Sequence, residues 1–477
     1  MRTVHYDIDL TILPQRVPAV FVLWGGGIRA TARVDLELDP DNAPAFAIYR
    51  LLQLSRLSVA PAGSPVDPVD IPYATSVETS ADIATYQVRL IRPDWDAIRR
   101  VAPGRSLSLC FEYEGPICGA REAMPYVHDH VSEKYTLLRE EVIWFPILYR
   151  GDLAASWRGK SADAPTYAIR VTCPDTLTAV TGGTLASAEP VPAPAGSDLP
   201  AASWRRYDWH ADVSSFMGIS CGDYHRHDSA DGRVSLYCFP EDDGTAAAAM
   251  AVVERTMALC RRWLGPLAQG RLVVAEVPAG WGSQASPLLI LQTADSLAAA
   301  TSPEGQKRLY SQLGHEVAHL WSVVSLEAQS TRWLDEGMTH FMEALLLEDA
   351  FGPAAYRERM AAYRQRFMRG YEHVAAVPLS ECGAHLFQDA IARGKGPWVL
   401  AVLRELIGDE RLAELMREFT QAHLAGGAIL ADFVSAARSV TGRDLTRFFG
   451  DWFDGTASSE MLASDMTVSE MAERYRD

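Results

Sequence analysis

The chain has 477 residues, of which 48% are hydrophobic and 22% charged, with a formal net charge of −17 and a sequence pI of about 5.2. That length exceeds one ordinary hydrophobic core, so two or three domains are expected. The acidic balance excludes nucleic acid and anionic membrane surfaces as bulk partners, and no apolar run reaches the roughly 18–20 residues of a membrane span.

The first residues, MRTVHYDIDLTI, already alternate like a strand and show no apolar leader segment. Seven scattered cysteines, with no CxxC pair, read as buried free thiols in a reducing compartment. A cytoplasmic protein is expected. Alternation continues at Ala32–Leu38 and Ser106–Tyr113, with breakers at Gly25-Gly26-Gly27 and Pro103-Gly104. Strand-like sequence returns at Thr166–Thr172 and Trp204–Tyr224, with a Pro/Ala/Gly/Ser-rich hairpin loop between them. Residues 1–228 therefore read as an antiparallel β-rich domain. The tract His225-Arg226-His227-Asp228-Ser229 reads as a solvated polar turn at the boundary.

From Gly244 the apolar spacing becomes helical, apart from strands at Arg271–Val277 and Leu288–Leu291. Between those strands, Pro278–Pro287 reads as a flexible turn leading into an edge strand. Helical spacing covers 304–323, 331–350, 353–370, 388–407, 410–423, 427–440 and 443–453. Residues 229–456 form the second predicted domain, and 457–477 a polar, loosely held tail.

The segment with chemical content is His315-Glu316-Val317-Ala318-His319. On a helix, positions i and i+4 lie nearly one above the other, so two imidazoles can hold one Zn²⁺ while Glu316 reaches a water. Leu313, Val317, Ala318, Leu320 and Trp321 make this segment apolar enough to be buried. His and Glu are poor residues for a buried helix unless paired or metal-bound. The third ligand is expected from Glu336, in Trp333-Leu334-Asp335-Glu336-Gly337. Asp335 and Glu343 are candidates to orient the imidazoles. His340 and His385 read as ordinary core or surface histidines.

The pair of motifs resembles the M1 family of gluzincin aminopeptidases, HExxH followed by a glutamate in a W-L-x-E-G segment. Here residues 320–335, sixteen positions, separate His319 from Glu336, two fewer than is usual in that family. Trp144-Phe145-Pro146, Phe216-Met217-Gly218-Ile219 and Gly394-Lys395-Gly396 resemble weaker family segments. The resemblance implies an α+β fold, with the antiparallel β-rich domain followed by a thermolysin-like, mainly helical catalytic domain. It also implies one Zn²⁺ and a short-peptide or small-molecule substrate.

Two departures stand out. Gly282-Ser283-Gln284-Ala285-Ser286 occupies the place of the family's substrate-amine segment, putting Ala285 where that family has a glutamate. Arg393 stands where it has a tyrosine that stabilises the oxyanion. Arg393 can donate hydrogen bonds itself, or hold a substrate carboxylate. Tyr310, Tyr356, Tyr363 and Tyr371 are further sources of a hydroxyl. The expected activity is zinc-dependent hydrolysis of a specialised substrate, with ordinary aminopeptidase activity weak or absent. A non-peptidase zinc reaction (epoxide opening, lyase or rearrangement) and a non-catalytic binding role on the same fold are the alternatives.

Overall fold

Alternation decides the first strand. In Arg2–Leu13, Tyr6, Ile8, Leu10 and Ile12 are fully buried, while Asp7, Asp9 and Thr11 take the opposite face. Gly27–Glu37 pairs with it antiparallel, Tyr6 opposite Val34 and Ile8 opposite Ala32, so both strands present one continuous apolar face. This belongs to a computed structural model that describes residues 1–14, 26–39, 42–63, 67–80, 85–121, 124, 127–195, 197, 199, 203–212, 217–267, 270–323, 332–384, 388–424, 426–464 and 466–476. Gly25, Phe216, His385 and residues 324–331 lie outside the described residues.

The sheet grows to eight strands in the order Thr184–Val191, Trp204–Ala211, Thr166–Pro174, Arg2–Leu13, Gly27–Glu37, Ser106–Pro116, Gln53–Pro61 and Val69–Asp70. Every neighbour is antiparallel except Arg2–Leu13 with Thr166–Pro174. Two four-stranded sheets share its apolar core. A fourth sheet, of five strands, completes this unit: His225–Asp228, Val234–Cys238, Leu272–Val277, Leu289–Thr293 and Gln284–Ala285, in that order across the sheet. Its central three strands are parallel and uniformly buried.

Contacts divide the chain into one unit of 1–246 plus 269–295 and another of 247–268 plus 296–477. The division expected at 228/229 is therefore displaced. His225–Asp228 and Val234–Cys238 form an antiparallel hairpin around a tight turn, closed by Ser229 N donating to Val234 O at 2.9 Å. The strand pairing carries the chain on within the first unit and brings 269–295 back to it.

The second unit is helical. Its long elements are Ala246–Leu264, Pro303–Ala318, Met338–Phe351, Pro353–Arg369, Gly396–Ile407, Asp409–His423 and Leu430–Thr441. Wide π turns occupy Trp333–Gly337, Ala390–Lys395 and Gly450–Asp454. The tail expected to be loose is instead two short helices, Ala457–Ala463 and Val468–Glu473. They bury Met461, Leu462, Met471 and Ala472, and Arg364 Nε donates to the Leu462 carbonyl at 2.6 Å. The reason is amphipathicity: a few apolar side chains at helical spacing sit among polar ones.

Candidate metal centre

Ser302 caps the Pro303–Ala318 helix, its Oγ accepting from Gly305 N at 3.0 Å, and Pro303 takes the first helical position. A Cβ at Gly314 would run into Leu346 Cδ2, so glycine lets this helix pack closely on Met338–Phe351. His315 and Glu316 sit in the last turn, and a 3₁₀ turn, His319–Trp321, continues it. The i, i+4 relation survives: His315 Nε2 and His319 Nε2 face each other at 3.0 Å.

Glu336 comes from the π turn Trp333–Gly337, which fully buried Trp333 anchors by donating Nε1–H to Gly396 O at 2.9 Å. Glu336 Oε2 lies 3.4 Å from His315 Nε2 and 3.8 Å from His319 Nε2. Two imidazole nitrogens and one carboxylate oxygen thus converge on a common point.

Carboxylates hold the other side of each ring. Asp335 Oδ1 is 2.8 Å from His319 Nδ1, which places the proton on Nδ1 and leaves Nε2 with its lone pair. Glu343 Oε2 is 3.5 Å from His315 Nδ1. Glu343 is 1% exposed and is itself bound by Ser311 Oγ, Arg359 Nη2 and the Tyr363 hydroxyl, the last at 2.8 Å.

The remaining oxygen of Glu336, Oε1, accepts from Arg332 Nη2 at 2.7 Å and from Arg393 Nη2 at 2.6 Å. Arg393 lies in the π turn Ala390–Lys395. Gly394 lets that turn close on the Pro353–Arg369 helix, because a Cβ there would stand 2.8 Å from Phe367 N. His340, also buried against this cluster, has both ring nitrogens occupied. Nδ1 donates to Glu336 O at 2.8 Å and Nε2 accepts from Arg366 at 3.2 Å.

The electrostatics call for a cation. Burial alone would lower the His315 pKa, but Glu336 and Glu343 outweigh it and lift it to about 10. Burial would raise Glu336, yet His315, His319 and Arg393 hold it well below the usual carboxylate range. Glu336 Oε2 is nevertheless buried without a hydrogen-bond partner. A divalent ion between the rings would satisfy that oxygen and both nitrogens, and the N₂O donor set suits Zn²⁺. Burial, reinforced by Glu336, holds the Glu316 carboxyl above its usual range, against the pull of His315, His319 and Arg393. That is the direction useful to a base working near neutral pH.

Residues 282–452, which contain this whole cluster, match the model of the peptidase family M1 domain. That segment, about a third of the chain, is what it shares with peptidase family M1. It is 28% identical over 165 residues to aminopeptidase N of Lactobacillus delbrueckii subsp. lactis, covering 32% of this chain and 19% of that protein. It is 27% identical over 163 residues to aminopeptidase N of Streptomyces lividans, with the same two shares. The match thus spans about a fifth of those curated relatives. Among solved structures, an M1 zinc metallopeptidase from Deinococcus radiodurans, a glutamate-to-alanine variant bound to a Tyr-Ser-Ala substrate, superposes with a TM-score of 0.62. It covers 95% of this chain and 94% of that one at 15% identity, a likeness of fold.

Not every residue expected of an M1 site falls in one unit. His315, Glu316, His319, Asp335, Glu336, Glu343 and Arg393 come together in the second unit. Gly282, Gln284, Ala285 and Ser286 belong to the first. The Pro278–Pro287 stretch, expected to be flexible, is tied down. Gln284–Ala285 pairs with Ile290–Leu291, Gly282 O accepts from Arg139 Nη2 at 3.0 Å, and Ser286 Oγ donates to Leu289 O at 3.0 Å. Gln284 Nε2 donates to Glu141 Oε1 at 2.6 Å, so a carboxylate does stand beside this strand.

Tyr363 does not supply a free hydroxyl, because its OH also lies 2.9 Å from the His340 carbonyl, besides Glu343. The sequence reading missed Arg332, Arg359 and Glu141. Arg332 had a signal, its i, i+4 spacing to Glu336; Arg359 and Glu141 had none.

Proposed function

We propose that this chain is an M1-type zinc-dependent hydrolase of an amide or related acyl bond in a small-molecule or short-peptide substrate. The observation that carries the reading is the convergence of His315 Nε2, His319 Nε2 and Glu336 Oε2, with Glu316 on the same helical turn. His315, His319 and Glu336 would hold one Zn²⁺. When bound, the ion supplies a Lewis acid that polarises a carbonyl oxygen and makes water nucleophilic near neutral pH. Glu316 takes the proton of the attacking water on its carboxylate and returns it to the leaving nitrogen. Asp335 and Glu343 fix the imidazole orientations, and Arg332 neutralises the outer oxygen of Glu336.

Selectivity is where this chain departs from the aminopeptidases it resembles. Ala285 offers no carboxylate to a substrate ammonium. Glu141, beside it, is already engaged by Gln284, and burial raises its pKa. Arg393 brings a guanidinium to the outer oxygen of Glu336, which Arg332 also satisfies. Arg393 Nε also lies 3.3 Å from Asp389 Oδ1, so a substrate carboxylate would engage this guanidinium in exchange for one of these contacts.

The test compares the zinc-loaded chain with its Glu316→Gln variant on aminoacyl anilides, on the tripeptide Tyr-Ser-Ala, and on N-acylated peptides ending in a carboxylate. Expected are slow cleavage of the anilides, faster cleavage of the carboxylate-bearing substrates, and a loss of about 10²–10⁴ in the variant at unchanged metal content. Rapid, broad anilide cleavage would overturn the specialised reading. Hydrolysis that survives in Glu316→Gln would overturn the mechanism.

A further inference from the structure

A second set of metal-ligating side chains lies in the first unit, in the tract that the sequence marks only as a polar turn. His225 and His227 alternate along the strand His225–Asp228 and so share one face. Cys238 is the direct cross-strand partner of His225 and is fully buried. Asp243, from the 3₁₀ turn Pro240–Thr245, closes the group. Its Oδ1 is 2.7 Å from His227 Nε2 and 3.0 Å from His225 Nδ1. The ligand atoms of His227, Cys238 and Asp243 all lie within 4.8 Å of one another.

A surface His–Asp pair needs no metal, and two imidazoles on one aspartate could be only that. Three features go beyond it. Two ring nitrogens and a carboxylate oxygen meet over a buried thiol, and three separate backbone elements supply them. Burial first, and then Glu276, Asp243 and Asp242, raise the Cys238 thiol to about 12, so a cation bound there would have to displace its proton, and the three carboxylates favour that cation. The spacing is near that of a metal site: tetrahedral ligands about 2.0–2.3 Å from zinc stand about 3.3–3.8 Å apart, so the His227, Cys238 and Asp243 atoms, all within 4.8 Å, and the two His–Asp contacts, which must open slightly, need an adjustment of at most about 1 Å. His225, His227 and Asp243 are partly exposed, with room to make it.

We propose that His227, Cys238 and Asp243, joined by His225 when its ring turns inward from Asp243, form a second site, for a borderline divalent metal ion of the Zn²⁺/Co²⁺ class, that clamps the hairpin to the 3₁₀ turn. The N₂SO donor set selects against Ca²⁺ and Mg²⁺, which take oxygen ligands. The role is structural, since all four tetrahedral positions are filled by protein.

The experiment is a Co²⁺ titration of the full-length apoprotein, followed by its absorption spectrum and by metal content after gel filtration. The His315–His319–Glu336 set contains no sulfur, so only the second site yields a near-ultraviolet thiolate-to-cobalt charge-transfer band. Two ions per chain are expected, with the band present. Cys238→Ser should remove the band and one ion. His227→Ala, at a partly exposed position that folding tolerates, should weaken the second ion at least 10²-fold, and it decides the matter if Cys238→Ser does not fold. His319→Ala should keep the band, which separates this site from the proposed hydrolytic one. One ion per chain without the band, or a band unchanged in His227→Ala, overturns the proposal.

Discussion

Asp335 shows how much of the centre depends on residues that never touch a metal. Its 2.8 Å contact with His319 Nδ1 fixes the tautomer that frees Nε2. Asp335→Asn is therefore expected to weaken Zn²⁺ binding 10–100-fold with the fold intact, measured by competition with a chelator of known affinity. An unchanged dissociation constant would remove Asp335 from this role. Arg393 calls for a different comparison. Because Arg332 also serves Glu336 Oε1, Arg393→Ala should lower Zn²⁺ affinity less than tenfold. On a carboxylate-bearing substrate it should lower kcat/KM about 10²-fold, and Arg393→Lys should not restore it, since an ammonium cannot reproduce the bidentate fork. Equal losses on neutral and carboxylate-bearing substrates would assign Arg393 to the metal ligand alone. At this scale the sequence was informative where spacing is local: His315 and His319 follow from i, i+4 geometry, and Arg332, which was missed, stands at the same spacing from Glu336. Arg359 reaches its partner from another helix and Glu141 from the 3₁₀ turn Glu140–Val142, and no periodicity records that.

Apolar spacing located the long helices to within a few residues, because each buries one face. It did not reveal the π turns that carry Glu336 and Arg393. One extra residue in a turn leaves the apolar pattern nearly unchanged while re-aiming the side chains. The tail was misread for a related reason, since Met461, Leu462 and Met471 are few among polar neighbours. Lys395 joins these two elements. It ends the Ala390–Lys395 turn, is fully buried, and donates from Nζ to Ser459 Oγ in the tail at 3.4 Å. Burial lowers its pKa to about 8. The unfolded chain, with an ordinary lysine near 10.4, binds the extra proton across the interval from about 8 to 10.4. Stability from this group therefore rises with pH through that interval, and below pH 8 the buried charge costs about 3 kcal/mol. Lys395→Met is expected to be more stable than the parent at pH 7 in urea unfolding, by up to that amount, and the two should converge by pH 10. A variant less stable than the parent at pH 7 would show that the lysine is held by more than burial allows.

The whole molecule has two cores. One is built from sheets and their shared apolar cluster, the other from helices around the His315 centre. Alternating and helical apolar spacing made the β-rich and helical halves legible. The exact division was not, because Val234–Cys238, Leu272–Val277 and Leu289–Thr293 are joined by ladder hydrogen bonds across long stretches of sequence. Among the described residues no helix is long and apolar enough to cross a membrane. Two cores predict that heat unfolding is not a single two-state transition. An ion bound only by the native second unit stabilises that unit by about 4 kcal/mol when free metal is a thousandfold above the dissociation constant. For a unit of this size each kcal/mol moves the midpoint about 2–4 °C, so chelation should lower the second unit's calorimetric transition by about 10 °C, beside any shift that loss of the proposed second ion gives the first unit's. His319→Ala should reproduce that shift without chelator, since it removes the ligand and leaves the sheet core untouched. If chelator moves only the transition that His319→Ala leaves in place, the stabilising ion is held by the first unit alone. If neither treatment moves any transition, the His315 cluster does not hold its metal tightly enough to contribute to folding.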